Sequence, residues 1–298
     1  MNGLILLTGV TGQVGFELQR ALAPLGPVAA LDRQSCDLGN GEALLQKVRE
    51  LRPAIIVNPA AYTAVDRAES EPDLAMAINA VAPGLLGQAA AELGALVVHY
   101  STDYVFDGGG TRPYVETDQP KPLSVYGRSK LAGELALQAS GARHLILRTS
   151  WVFGAFGGNF AKTMLRLAAE REQLKVVADQ FGAPTSAALI ADVTAQILGQ
   201  YLRCGSPEGF PLGLYHLAAA GETNWHEYAA TVIAAARRAG RPLKLAADGL
   251  LPIPGRDYPT PAPRPANSRL DTRRLRETFG LELPDWRQGL DHVLQLIL

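Results

Sequence analysis

Cysteine is scarce in this chain: Cys36 and Cys204 are the only two among 298 residues, and they form no Cys-x-x-Cys pair. Disulfide frameworks and structural zinc sites need more thiols at closer spacing, so neither is expected, and a reducing compartment fits the composition. The five histidines are scattered. We interpret His99 and His144 as structural, because both lie in apolar, strand-like runs.

Net charge and long apolar runs are also lacking. The 28 basic and 29 acidic residues leave a net charge of -1, which is not the electrostatic footprint of a protein that binds nucleic acid or an anionic membrane. A membrane-spanning helix needs about 18 consecutive apolar residues, and Gly, Pro or charged residues interrupt every long stretch. The first positive charge, Arg20, lies beyond the opening apolar run, which argues against a signal peptide. We therefore expect a cytoplasmic protein with no nucleic-acid or membrane partner.

What the first half does contain is an alternation of short apolar runs with amphipathic segments. The strand-like runs lie at residues 4–7, 28–31, 55–57, 96–100 and 145–147. The helix-like segments between them lie at residues 13–22, about 44–51 and about 73–92. This order predicts an α/β fold, a Rossmann-like doubly wound parallel sheet with helices on both faces.

The alternation weakens beyond Trp151. Helical patterns recur near residues 159–171, 187–202, 224–239 and 286–297, separated by loops rich in Gly and Pro, such as residues 251–254 and 259–265. We expect residues 1–150 to form the dinucleotide-binding domain. Residues 151–298 are expected to form mainly a smaller substrate-binding region packed on the sheet, with some segments returning to the sheet.

A glycine-rich turn lies directly between the first strand-like run and the first helix. Its spacing is G-x-x-G-x-x-G, which permits a tight turn and lets backbone amides at the positive helix N-terminus approach a pyrophosphate. The required context, a strand before it, a helix after it and an acidic residue later, is present. The residues expected to bind the cofactor here are Gly9, Thr11, Gly12, Gln13, Val14 and Gly15.

An acidic residue, Asp32, ends the second strand-like run 17 residues beyond Gly15, where a carboxylate usually binds the adenosine ribose hydroxyls. Arg33 follows at once and could instead face a 2′-phosphate, so the pair leaves NADH and NADPH both open. Asp37 and Leu38 are placed to contact the adenine, although Asp37 could equally cap the next helix.

Tyr126 and Lys130 are four residues apart in a segment that opens an amphipathic helix, with Ser124 as a candidate cap. That spacing puts both side chains on one helix face, one turn apart. A nearby ammonium favours the phenolate and would lower the phenol pKa from its ordinary value of about 10, which suits tyrosine to acid–base catalysis. Thr102 and Asp103 follow the strand-like run 96–100, and hydroxyls at a strand's carboxyl end point into the crevice, within reach of Tyr126.

Longer blocks of sequence resemble one family within the extended short-chain dehydrogenase/reductase superfamily, which shares the glycine turn and the Tyr-x-x-x-Lys pair. That family is the dTDP-4-dehydrorhamnose reductases, and the likeness covers nearly the whole chain. The matching blocks are residues 11–15, 63–70, 99–106, 148–152, 179–185 and 264–270.

The resemblance implies that NADPH or NADH reduces the 4-keto group of dTDP-4-dehydro-L-rhamnose to dTDP-L-rhamnose, for cell-surface polysaccharides. It implies that Tyr126 protonates the emerging alkoxide while Lys130 binds the nicotinamide ribose. Thr102 would bind the carbonyl oxygen or tune Tyr126, and Asp103 would lie beside the sugar. Trp151 would stack on the sugar or gate its pocket, with a core tryptophan as the alternative. The residues expected to line the cofactor after the third strand are Ala60, Ala61 and Tyr62.

The sequence departs from the family at a magnesium site. Some members are described as dimers bridged by magnesium on glutamates from three segments. Glu17 matches the first, but Ala188 and Leu296 stand where the other two would be, and aliphatic side chains offer Mg²⁺ no oxygen. We therefore expect no metal ligands and doubt magnesium, and we leave monomer and homodimer both open.

Two alternatives share these motifs. Another nucleotide-sugar reductase, epimerase or dehydratase would keep the fold and the Tyr/Lys pair, but dehydratases carry a second acid after the catalytic Thr-Asp, and Tyr104 occupies that place. A non-catalytic, NADP-binding regulatory subunit is the other alternative. Retention of Thr102, Tyr126 and Lys130 argues against it.

Overall fold

Within residues 3–204 and 207–298, which the computed structural model describes, six parallel strands form the central sheet. The strands in chain order are β1 (Ile5–Leu7), β2 (Val28–Ala30), β3 (Ile55–Asn58), β4 (Leu96–Thr102), β5 (Arg143–Thr149), β6 (Val152–Phe153), β7 (Leu174–Val177), β8 (Phe181–Gly182), β9 (Thr185–Ser186), β10 (Gly213–His216), β11 (Thr223–Asn224) and β12 (Leu250–Ile253). The α-helices are α1 (Gln13–Leu22), α2 (Gly41–Leu51), α3 (Val65–Ala68), α4 (Pro72–Met76), α5 (Ala82–Leu93), α6 (Val125–Ala139), α7 (Phe160–Glu170), α8 (Ala187–Arg203), α9 (Trp225–Arg238), α10 (Arg273–Phe279) and α11 (Trp286–Ile297).

The sheet order is β10-β5-β4-β3-β1-β2, so the chain reverses direction across the sheet between β1 and β3. Side chains alternate between the faces: Ile5 and Leu7 join the core under α1 and α8, whereas Leu6 joins the core under α2 and α5. In such sheets ligands bind at the carboxyl ends of the strands, beside the reversal. The prediction of a Rossmann-like parallel sheet with helices on both faces is confirmed.

A second core lies in the C-terminal half, where α7, α9 and α11 enclose Phe153, Tyr228 and Trp286. Three short ladders border it, formed by β6 with β9, β7 with β12, and β8 with β11. Between these segments the chain returns to the central sheet as β10, which pairs with β5. The residues that follow β4 and β5 therefore face a region built by the C-terminal half.

Two sequence predictions were wrong in detail. Residues 251–254 were expected to be loop because of their prolines, yet Leu250–Ile253 forms β12 beside β7. Proline is tolerated there because the ladder has two strands, and an edge position needs no hydrogen bond from Pro252. The helix expected at 73–92 is interrupted by a π-helical turn, Ala77–Val81. Pro83, which has no N–H, cannot donate to the Asn79 carbonyl four residues earlier, and this accounts for the bulge.

The interrupted helical stretch Pro72–Leu93 has the length and composition of a membrane span. Half of its most apolar window is buried inside the protein, however. A core helix of a soluble protein passes the same test, so the stretch is weak evidence for a membrane.

A buried ion pair joins α6 to the sheet. Arg148 on β5 donates from Nε and Nη2 to the Glu134 carboxylate at 2.8 and 2.6 Å, with both side chains at most 4% exposed. The Arg148 guanidinium also lies over the Phe106 ring, 5.1 Å from its centroid. Removing one partner would strand a buried charge, which costs far more than losing an exposed pair.

We therefore predict that Arg148→Met lowers the free energy of unfolding by about 3–5 kcal/mol, measured by urea denaturation. Arg166→Met is the matched control, because the Arg166–Glu170 pair (3.0 Å) is exposed, and a change within about 0.5 kcal/mol is expected. Equal unfolding midpoints for the two variants would contradict this interpretation.

Candidate functional site

The glycine turn between β1 and α1 has the shape of a phosphate cradle. Gly9 adopts a φ of +59°, and a Cβ there would press on Ala60, while a Cβ at Gly15 would overlap the Gly9 carbonyl oxygen. Gly12 is the N-cap of α1 and has no side chain to occupy the first amides of the helix. The turn thus leaves backbone N–H groups facing the crevice at the positive end of α1, and it fits the pyrophosphate of a dinucleotide.

The side chains of the adjacent α1 residues close one side of this turn. Gln13 donates to the Val152 carbonyl at 3.4 Å, and its own carbonyl accepts from Asn159 at 3.0 Å. Thr11 is exposed and Val14 is half-buried. Phe16 stacks on Phe156, with centroids 4.3 Å apart, so the loop after β6 lies against the N-terminal turns of α1.

The acidic residue expected at the ribose, Asp32, follows β2 and accepts hydrogen bonds from the Ser35 amide (2.8 Å) and hydroxyl (2.7 Å). The hydrogen bonds from Ser35 hold the pKa of the Asp32 carboxyl below its ordinary value, so Asp32 is ionised at neutral pH. Arg33 is exposed and lies 3.8 Å from Asp37. The rim therefore offers both a carboxylate and an exposed guanidinium to an adenosine ribose.

Asp37 does not cap the following helix. Its Oδ1 accepts from the Gly39 amide at 2.9 Å, whereas Asn40 is the N-cap of α2 and accepts from the Ala43 amide at 3.1 Å. Leu38 is buried in the core beneath α2. The capping alternative for Asp37 is wrong, and its expected place beside the adenine stays a prediction.

Asn79 holds the loop that carries Ala60, Ala61 and Tyr62 after β3. Asn79 lies in the π-helical turn, and its side-chain oxygen accepts from the Tyr62 N–H at 2.8 Å. Its side-chain nitrogen donates to the Tyr62 carbonyl and to the Ser129 hydroxyl, both at 3.0 Å. Asn79 is fully buried. It ties the expected cofactor loop to α6, and π-bulges frequently mark functional sites. Sequence reasoning missed Asn79, because its partners lie 17 and 50 residues away.

The expected proton donor, Tyr126, lies in the first turn of α6, which begins after Ser124. The Ser124 hydroxyl accepts from the Gly127 amide at 3.1 Å, which confirms it as the cap. A Cβ at Gly127 would overlap the Tyr104 carbonyl oxygen, so glycine lets α6 approach the residues after β4. The Tyr126 ring meets the Tyr104 ring edge-on at 5.5 Å.

Burial raises the pKa of Tyr126 to about 12, and the Thr102 hydroxyl opposes this rise by hydrogen bonding. The expected lowering of this pKa by Lys130 is not found, because the ammonium points elsewhere. Lys130 is 2% exposed, and its Nζ donates to the Tyr100 carbonyl at 2.7 Å. Tyr126 is therefore a protonated phenol at neutral pH, which is the form that can donate a proton.

The surroundings of Lys130 make its ammonium easier to deprotonate. Burial lowers the pKa of Lys130 to about 8, partly offset by the Glu134 carboxylate one turn along α6. Its Nζ is also 3.2 Å from Nε2 of His99. An ammonium has three N–H donors, so with Tyr100 and His99 as two partners one donor remains for a ligand.

Thr102 ends β4, and Asp103 begins the short turn that follows it at the carboxyl edge of the sheet. The Thr102 hydroxyl accepts from the Tyr104 amide at 3.2 Å and donates to Asp103 Oδ1 at 3.1 Å, so it caps a short turn and also reaches Tyr126. Burial raises the pKa of Asp103 to about 6, opposed by hydrogen bonds from Ser268 and Thr102.

Three buried hydroxyls near the ends of β4 and β5 have no hydrogen-bond partner among the residues described: Ser101, Thr149 and Ser150. Unsatisfied buried polar groups cluster where a ligand or water completes them. They support a ligand site above these strands.

A cleft of about 1130 Å³ opens beside Tyr104, between α7, β7 and the loop after β12. Its apolar wall includes Phe160, Met164 and Trp225. Its basic side chains are Arg171, Lys175, Arg256 and Arg264, and its acidic side chains are Asp66, Asp179 and Asp257. Asp66 pairs with Arg264 at 2.7 Å. The cleft combines aromatic surface with positive charge, which suits a planar base joined to phosphates.

Trp151 lies behind the wall of this cleft. Its ring stacks on Trp225 at 3.7 Å, and a Cβ at Gly182 would overlap it on another side. Its φ of +48° is rare for a bulky residue, and such strain clusters at functional sites. Trp225, not expected from the sequence, presents the cleft-facing ring, and a substrate contact by Trp151 stays a prediction.

Of the three positions of the family's magnesium site, only Glu17 carries a carboxylate, because the other two are Ala188 and Leu296. Glu17 on α1 contacts Arg20 at 3.6 Å, and Leu296 on α11 is 62% exposed. Among residues 3–204 and 207–298, no group of three His, Cys, Asp or Glu side chains is placed to hold a metal ion.

A glycine cradle at the switch point, a protonated tyrosine with a lysine one turn on, and a large cleft beside Tyr104 are the features of a nicotinamide-dependent reductase of the extended short-chain dehydrogenase/reductase type. The chain belongs to the RmlD substrate binding domain family, whose profile matches residues 1–298. It is 55% identical over 294 residues to the dTDP-4-dehydrorhamnose reductase of Shigella flexneri, covering 97% of this chain and 96% of that protein.

Solved relatives have the same fold. The dTDP-4-dehydrorhamnose reductase of Bacillus anthracis, in complex with NADP, has a TM-score of 0.87 at 35% identity, and that of Clostridium acetobutylicum has 0.88 at 36%. Each match covers 99% of both chains. The family resemblance seen in the sequence is confirmed.

We predict that Gly15→Ala raises the dissociation constant for NADPH about tenfold or more, because the new Cβ must displace the Gly9 carbonyl and open the cradle. Fluorescence titration of NADPH measures this. Gly209→Ala is the control, since a Cβ there meets nothing within 4 Å, and it should bind as the unaltered protein does. Unchanged affinity in Gly15→Ala would contradict the cradle.

Proposed function

We propose that this protein is a dTDP-4-dehydrorhamnose reductase that uses NADPH or NADH to reduce the 4-keto group of dTDP-4-dehydro-L-rhamnose. The observation that carries the proposal is a protonated Tyr126, one helical turn from a buried lysine, whose ring meets Tyr104 at the wall of a large cleft with aromatic and basic side chains. The 55% identity to a relative of that name, over nearly both chains, supports the choice of substrate.

The residues present fit a dinucleotide. The turn of Gly9, Gly12 and Gly15 would hold the pyrophosphate, with Thr11, Gln13 and Val14 beside it. Asp32, Arg33, Asp37 and Leu38 would hold the adenosine, and Ala60, Ala61, Tyr62, Tyr126 and Lys130 the nicotinamide half. When bound, the reduced cofactor supplies a hydride to C4 of the sugar, the carbon of the keto group. The B. anthracis relative was solved with NADP, which supports NADPH as one substrate.

The proton that the alkoxide needs would come from a residue of the protein. Tyr126 is positioned by the Ser124 cap and the close packing at Gly127, and its raised pKa keeps the proton in place until an alkoxide forms. The Thr102 hydroxyl hydrogen-bonds the phenol, and its single O–H, which is donated to Asp103 Oδ1 in this structure, would turn to a substrate carbonyl oxygen to bind it. Transfer from Tyr126 to a sugar alkoxide is favourable, because an alkoxide is the stronger base.

The cleft would hold the nucleotide. Arg171, Lys175, Arg256 and Arg264 supply positive charge for a diphosphate, and the aromatic wall at Phe160 and Trp225 offers a surface for a base. In this arrangement residues 1–150 bind the cofactor and residues 151–298 mainly the substrate. Asp103 and Trp151 would lie at the sugar end of the cleft.

We predict that purified protein oxidises NADPH or NADH when dTDP-4-dehydro-L-rhamnose is supplied, followed by loss of absorbance of the reduced cofactor. Tyr126→Phe should lower kcat by about 100-fold or more, because the proton donor is gone, while NADPH affinity stays nearly intact. Tyr201→Phe, on α8 away from the cleft, is the control and should keep full activity. Near-native kcat in Tyr126→Phe would refute the assigned role.

We also predict a pH profile from the lysine. The pKa of Lys130 is lowered to about 8, so the ammonium predominates below pH 8 and the neutral amine above it. If the ammonium supports proton delivery, kcat/KM is flat below about pH 8 and falls about tenfold per unit above it. Lys130→Met should keep a low activity without that limb. A profile that stays flat to pH 10 in the unaltered protein would contradict the assignment.

A further inference from the structure

A row of buried polar side chains crosses the sheet behind the proposed site. Asn58 on β3 and His99 on β4 are register partners, and Thr8 follows β1 beside them. All three are at most 1% exposed and lie on the α6 face of the sheet. The row begins at the residue before Gly9 of the glycine turn and ends at Lys130.

The contacts along this row form a continuous chain. The Thr8 hydroxyl donates to Asn58 Oδ1 at 2.6 Å, Asn58 Nδ2 is 3.2 Å from His99 Nδ1, and His99 Nε2 is 3.2 Å from Lys130 Nζ. A polar chain buried among strands is costly unless every member is satisfied. The proposed reaction uses Lys130 and gives Thr8, Asn58 and His99 no role.

The chemistry of each group links the direction of the chain to the charge of Lys130. An ammonium can only donate, so charged Lys130 requires His99 Nε2 to accept, which puts the ring proton on Nδ1. Nδ1–H must then donate to an oxygen, so Asn58 turns Oδ1 toward His99 and its NH₂ toward the Thr8 hydroxyl. A threonine hydroxyl can accept there as well as donate.

The reverse direction suits a neutral amine. His99 then carries its proton on Nε2 and donates to Lys130, Nδ1 accepts from Asn58 Nδ2, and Asn58 Oδ1 accepts from Thr8. This is the direction in which Asn58 is oriented in the structure. Thr8 and Asn58 can serve both directions because each is donor and acceptor, which an apolar pair could not do.

We propose that His99, backed by Asn58 and Thr8, is a positioning residue for Lys130, and that the direction of this hydrogen-bond chain is set by whether Lys130 is charged. The proposal rests on the proposed function for the role of Lys130. The balance is simple: charged Lys130 with the Nδ1–H ring gives neutral Lys130 with the Nε2–H ring and one proton released to solvent. The imidazole carries a single N–H in both states.

The charges around the row favour this assignment. On α6, Glu134 raises the pKa of Lys130, and Arg148 of β5 is paired with that carboxylate. Asp103, after β4, acts on Tyr126. Burial and the Lys130 charge hold the pKa of His99 well below its ordinary value, so the ring stays neutral.

The direct test is the tautomer of His99, read from ¹⁵N chemical shifts of protein labelled in histidine, between pH 6 and 10. We expect the Nδ1–H form at low pH and the Nε2–H form at high pH, with a midpoint near 8. His216 is an internal control: it is also buried, and its Nδ1 lies 3.0 Å from the Tyr114 carbonyl, which fixes the Nδ1–H form at every pH. The signal of His99 is assigned by its loss in His99→Gln.

Two substitutions should move the basic limb of kcat/KM in opposite directions. His99→Leu removes an acceptor from the ammonium, so the limb shifts down by about one pH unit. Asn58→Asp gives Nδ1–H a carboxylate partner, so the limb shifts up. His99→Gln, which can accept, should restore most of the loss. A purely structural role would lower stability without opposite shifts.

The proposal is overturned if His99 keeps one tautomer from pH 6 to 10, or if it titrates as an imidazolium. The chemical shifts need no turnover, so they decide the matter even if His99→Leu or Asn58→Asp fails to fold. A fixed His99 tautomer in an active enzyme would refute the proposed hydrogen-bond chain and leave the proposed function intact. A change of tautomer in a protein that reduces no keto sugar would support the hydrogen-bond chain and refute the proposed function.

Discussion

The hydrogen bond from Lys130 on α6 to the Tyr100 carbonyl on β4 fixes the acid–base helix against the sheet. A buried ammonium is tolerated only when its N–H groups find acceptors, and here two of them face the Tyr100 carbonyl and the His99 imidazole. The nearby negative charge of Glu134 also favours the ammonium. Glu134 is held in turn by Arg148 of β5. The position of Tyr126, one turn earlier, therefore depends on how α6 packs on β4 and β5.

Much of the fold could be predicted because its signals are local. The apolar runs and their helical intervals follow from the periodicity of a parallel sheet covered on both faces, and α1 begins and ends as expected, at Gln13 and Leu22. The glycine turn could be predicted for the same reason, since its spacing lies within residues 9–15 and Gly15 is required by the nearby Gly9 carbonyl, although Gly9 itself packs against the distant Ala60. Tyr126 and Lys130 were found from a four-residue spacing that puts both on one helix face, together with the glycine turn upstream.

What could not be predicted depends on contacts between distant segments. Asn79 matters because a proline distorts its helix and because Ser129 and the Tyr62 loop meet it in space. His99 was assigned a structural role, since no spacing shows that register places it between Asn58 and Lys130. The pKa of Tyr126 was expected to fall, and burial raises it, an outcome set by packing and not by sequence neighbours.

Transfer of hydride to the sugar C4 is the central chemical claim, and isotope tracing tests it most directly. The protein is incubated with dTDP-4-dehydro-L-rhamnose and NADPH deuterated at the nicotinamide C4 on the transferred face, and the product is examined by NMR and mass spectrometry. We expect one deuterium, located at C4 of the rhamnosyl group. Cofactor oxidation with the label elsewhere, or no conversion of the sugar with either NADPH or NADH, would contradict it.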